Sequence, residues 1–104
     1  MATLEDRPHL LLFTNLQSGP GRRMESLLAQ LARKERKRLR VSRVDSERVA
    51  KLAERLAVHE VPTLILLVAG RPVARIEGRA SAPQIERMLA AHLPTGNPQA
   101  SLAA

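Results

Sequence analysis

The chain has 104 residues, no cysteine, tryptophan or tyrosine, one phenylalanine and a formal net charge of +7. That length fits one domain with a modest core, and 44% apolar residues suit a globular fold. Without cysteine there is no disulfide, thiolate, Fe–S or zinc–cysteine chemistry, and with one aromatic there is no stacking platform for single-stranded nucleic acid.

Residues 1–8 read as a short, poorly ordered lead. The N-terminal MATLEDRPHLLLF places acidic residues before a short apolar run. It is neither a signal peptide nor a membrane span, so a cytoplasmic location is expected. His9 to Thr14 is a continuous apolar run of strand length, as in a strand covered on both faces.

After Asn15 to Ser18 the period changes. Met24, Leu27, Leu28 and Leu31 fall at i, i+3, i+4 and i+7, which predicts an amphipathic helix from Gly19 to about Lys37. Ser18 is the expected N-cap and Pro20 sits in the first turn, where its missing N–H has no intrahelical use. Leu39 to Asp45 alternates like a strand. Ser46 is expected to cap a second helix that buries Val49, Leu52, Ala53, Leu56 and Ala57, ending at His59-Glu60-Val61-Pro62.

Thr63 to Ala69 is a further apolar strand, Gly70-Arg71 a tight turn, and Pro72 to Glu77 its hairpin partner. Ser81-Ala82-Pro83-Gln84 has capping-box spacing and opens a third helix, with Ile85, Met88, Leu89 and His92 or Leu93 inward. Pro94 is expected to stop it, and 94–104 to form a disordered tail. The domain therefore spans 9–93. Its order, β-α-β-α-β-β-α, predicts an α/β fold with a four-stranded mixed sheet and helices on both faces. The two strand–helix–strand passages predict parallel pairing through right-handed crossovers.

This order, together with several local motifs, resembles the thioredoxin family over roughly His9 to Leu93. Phe13 stands where that family has an aromatic ending its central strand, and Ser18-Gly19-Pro20-Gly21 keeps the middle of its Cys-Gly-Pro-Cys loop. Val44-Asp45 resembles the hydrophobic-acidic pair ending the next strand. Val61-Pro62-Thr63 is similar to the family's cis-proline segment, with Gly70 at the hairpin turn and Gly78 before the last helix.

The departures remove that family's chemistry. Ser18 and Gly21 replace both thiols, Leu12 stands in place of the buried acid, and Gln17 in place of the tryptophan before the loop. The leading strand and helix are missing. Disulfide exchange is thus excluded.

Three function classes are compatible with these residues. The first is a redox-inactive protein- or peptide-binding domain. The resemblance implies a groove of Ser18, Gly19, Pro20, Gly21, Val61, Pro62 and Gly78, where the main chain before the proline pairs with an extended segment. The second is binding of nucleic acid or an acidic protein through Arg33, Lys34, Arg36, Lys37, Arg38, Arg40 and Arg43, seven basic residues interrupted by Glu35 alone. Its plainer reading is a solvated helix end.

The third class is an enzyme with relocated chemistry, for which no constellation is visible. Ser18 lacks a positioned base, because His9 begins a strand, His92 ends a helix and only His59 precedes the proline segment. No catalytic residue, metal site or cofactor is expected: metal-ligand spacings are absent, and Gly19 and Gly21 lack the Lys-Ser/Thr of a phosphate loop. An anion beside Arg22 and Arg23 at the helix N-terminus is a weaker option. No membrane partner is expected, and a homodimer is possible but unspecified.

Overall fold

A computed structural model describes residues 7–15, 19–45 and 49–93. Its elements are β1 (His9–Thr14), α1 (Gly19–Lys34), β2 (Arg40–Asp45), α2 (Ala50–Arg55), β3 (Thr63–Val68), β4 (Arg71–Glu77) and α3 (Ala82–His92). They build one four-stranded sheet in the order β2-β1-β3-β4.

The continuous apolar run of β1 puts it at the centre of this sheet. Successive side chains point to opposite faces, so Leu10 and Leu12 enter one cluster with Met24, Leu28, Ile85 and Leu89 from α1 and α3. Leu11 and Phe13 enter a smaller cluster with Ala53 of α2 and Ile65 of β3. Helices therefore cover both faces, as expected.

β1 pairs with β2 in parallel, but β3 runs antiparallel to β1, contrary to the parallel pairing expected of both crossovers. The register gives the reason. Thr14 lies opposite Asp45 and Phe13 opposite Thr63, so the β2–β3 connection leaves and re-enters at the same end of the sheet. α2 has only six residues, and the segment from Leu56 to Pro62 carries the chain back alongside it.

α2 is shorter than its apolar spacing suggests. Val49 is its N-cap and is exposed, and only Ala53 is fully buried. Ala57 is not on the buried stripe: it takes φ +55° just beyond the C-cap Leu56. The Ala57 N–H donates to the Glu54 carbonyl at 3.1 Å and the Val58 N–H to the Ala53 carbonyl at 2.8 Å. These are the two bonds of a Schellman motif, here without its usual glycine.

α1 ends at Lys34, three residues before the expected Lys37. The N–H groups of Arg38 and Leu39 both turn back to the Glu35 carbonyl, at 3.0 and 2.9 Å, which closes the helix into a turn. Leu39 precedes β2 and is a buried core residue.

The β3–β4 turn lies at Ala69-Gly70, one residue earlier than Gly70-Arg71. Both residues have positive φ, +53° and +79°, as the primed hairpin turns require. A bulge between Leu66 and Leu67 leaves Val73 as the extra residue of β4. The capping box of α3 is present: Ser81 Oγ accepts from the Gln84 N–H, and Gln84 Oε1 accepts from the Ser81 N–H. Ile85, Leu89 and Leu93 are buried, whereas His92 is exposed. The expected caps Ser18 and Ser46, the stop at Pro94 and the tail lie outside the described residues.

Candidate functional site

The groove implied by the sequence lies at the end of the sheet where β1 finishes. Thr63 pairs with Phe13 there, which brings the Val61-Pro62-Thr63 segment beside the end of β1. α1 opens at Gly19, five residues after Thr14, with Pro20 and Gly21 in its first turn. Ser18 lies outside the described residues.

The Val61–Pro62 bond is cis. Two hydrogen bonds fix this segment: the Thr63 hydroxyl donates to the Glu60 carbonyl at 2.7 Å, and the Gly78 N–H donates to the Pro62 carbonyl at 2.8 Å. Pro62 and Thr63 are buried, and Val61 is half-buried against the α2-side cluster. Among the described residues, the N–H and C=O of Val61 have no hydrogen-bond partner.

An open depression of about 430 Å³ flanks Val61, lined also by Ala53, Glu54, Val58, His59 and Glu60. The structure thus unites Val61, Pro62 and Gly78 directly, and Gly19–Gly21 by topology. Sequence reasoning missed Thr63 as the residue that clamps the turn. Its signal was a hydroxyl-bearing side chain placed immediately after the proline.

No catalytic arrangement accompanies the groove among the described residues. His59 is exposed. His9 Nε2 lies 2.6 Å from Ser42 Oγ on the α2 face of the sheet, away from the groove. Burial first, and Arg40 second, lowers the His9 pKa from its ordinary value. Leu12, at the buried-acid position of the resemblance, is an apolar core residue. The described residues hold no cluster of acidic or histidine side chains able to bind a metal ion. No described helix is long and apolar enough to cross a membrane.

The basic segment is split by its environment. Arg33, Lys34, Arg36, Lys37 and Arg40 are exposed, and none makes an ion pair among the described residues. Arg38 Nε donates to Glu35 Oε2 at 2.7 Å, and Arg43 pairs with Glu25 of α1 at 2.6 Å. The free cations therefore gather where α1 ends and β2 begins.

Comparison with known proteins agrees with this geometry. The family model described as Thioredoxin matches residues 2–91. A thioredoxin-like protein of Synechocystis sp. is 30% identical over 83 residues, covering 80% of this chain and 79% of its own length. The thioredoxin of Alicyclobacillus acidocaldarius is 29% identical over 85 residues, covering 82% of this chain and 81% of its own. Among solved structures, the germline-specific thioredoxin Deadhead of Drosophila melanogaster superposes with a TM-score of 0.78 at 30% identity. That match covers 86% of this chain and 84% of Deadhead.

Proposed function

The chain belongs to the thioredoxin family, and from that premise we propose that it is a redox-inactive, non-enzymatic member that binds a protein or peptide segment in the groove beside Val61. Having no cysteine, the chain has no thiol with which to exchange disulfides. What supports binding is the main chain. Among the described residues, Val61 keeps an unpaired N–H and C=O at a half-buried position, while the carbonyls on either side of it are already bonded to Thr63 and Gly78. Buried main-chain polar groups are almost always paired, so an incoming extended strand is the natural complement.

Titration of the full chain with extended peptides, followed by backbone amide shifts, tests this reading. Shifts centred on Val61, Gly78 and the first turn of α1 are expected. Their absence at millimolar peptide would remove the site.

A further inference from the structure

We propose that the outer edge of β2 is a second docking surface, one that accepts an extended acidic segment by strand addition. It uses different residues from the groove and stands independently of it.

The two edges of the sheet differ. The β4 edge carries Pro72 and the bulge that displaces Val73, devices that discourage further pairing. β2 has neither. It pairs with β1 in unbroken register over all six residues and, among the described residues, has no strand on its other side. The Arg40 N–H donates inward to the Pro8 carbonyl at 2.8 Å. Alternation then turns the N–H and C=O groups of Val41 and Arg43 outward, where no described strand meets them.

The flank of this edge gives the added strand both contacts it needs. On the α1 side, an open trough of about 410 Å³ has an apolar floor of Leu12, Leu28, Ala29, Ala32 and Val41, with Ser42 and the Arg43–Glu25 ion pair also lining it. One set of alternate side chains of an added strand would rest there. The opposite set would meet Arg40, which is exposed and makes no ion pair among the described residues. A strand alternating apolar and acidic residues satisfies both sides. A second copy of β2 is a poorer match, because it brings two arginines and one aspartate, a net positive strand, to Arg40.

The experiment uses the isotope-labelled full chain and a short capped peptide alternating valine and glutamate. Binding is expected to shift the amides of Val41 and Arg43 more than those of Arg40 and Ser42, whether or not Val61 and Gly78 also respond. N-methylation of alternate peptide amides keeps every charge, and is expected to weaken binding about tenfold or more through loss of the main-chain bonds. Arg40→Glu in the protein should weaken it similarly. Val41→Pro removes an outward N–H that the sheet does not use. Should that variant fail to fold, the N-methylated peptide decides the question alone.

Equal binding of the N-methylated peptide would overturn strand addition, leaving a purely electrostatic surface. An oligothymidylate displacing the peptide from Val41 would overturn the choice of an acidic peptide over nucleic acid. Concentration-dependent shifts at Val41 without peptide would replace it with a second copy.

Discussion

The Gly78 N–H meets the Pro62 carbonyl at 2.8 Å, so the residue that follows β4 also fixes the segment of the proposed groove. Gly78 has φ +81°, and a Cβ built on it would meet nothing within 4 Å. Gly78→Ala should therefore destabilise through backbone conformation alone, by about 1–2 kcal/mol. Urea unfolding monitored by circular dichroism checks the magnitude, and a shift of the Val61 amide checks the link to the groove.

Two alanines occupy left-handed backbone that glycine or asparagine adopts more easily, Ala57 at φ +55° and Ala69 at φ +53°. Ala57→Gly should stabilise the chain by about 0.5–1 kcal/mol, the relief of φ strain less the greater entropy of an unfolded glycine. Ala69→Asn creates the Asn-Gly pair favoured in such hairpin turns and should act in the same direction. An unchanged or lowered midpoint in both variants would contradict this account.

His9 couples stability to pH. Its pKa in the fold lies below the ordinary 6.5, because burial and Arg40 both disfavour the imidazolium. The unfolded chain then binds the proton first, so stability is full above about 6.5 and falls as the pH drops toward the lowered value. His9→Gln should remove that part of the acid slope in thermal unfolding. Arg40→Gln should raise the imidazole pKa part of the way back, read by NMR titration.

Phe13 is the one aromatic residue and is fully buried between β1, α2 and β3. Phe13→Ala should cost about 3–5 kcal/mol, a large share of the stability of a domain this size. By contrast, breaking the exposed Arg43–Glu25 pair with Glu25→Gln should cost less than about 1 kcal/mol, and the loss should shrink in high salt.

Features carried by neighbouring residues were legible in the sequence. The apolar run of β1, the spacing of Met24, Leu28 and Leu31, and the Ser81–Gln84 box each state a local conformation. Features made by distant residues were not. Arg75 donates to the Leu56 carbonyl and, at 3.1 Å, to the Ala57 carbonyl, bracing the end of α2 from β4 across nineteen and eighteen positions of sequence.

The direction of β3 depends on how far α2 carries the chain, which an apolar stripe alone does not specify. His92 is the last residue of α3 and is exposed, whereas Leu93 is its C-cap, where the extended backbone turns that side chain into the core. The basic segment was visible as composition, but its division into free and paired cations required Glu25 to arrive from α1. At the proposed groove, the motif names Val61, Pro62 and Gly78, while the Thr63 hydroxyl's bond to the Glu60 carbonyl is visible only in the turn geometry.

The separation of the core into two clusters by β1 and β3 has a consequence for how the molecule loosens. The larger cluster joins two helices of 16 and 11 residues to one face, whereas the smaller holds a six-residue helix to the other. Val61 belongs to the smaller one. Opening of the α2 side would release Val61 from its apolar backing while α1, α3 and the sheet between them stay folded. Amides of α2 should accordingly exchange with solvent well before those of β1, so that the groove wall is remodelled by fluctuations that never unfold the domain.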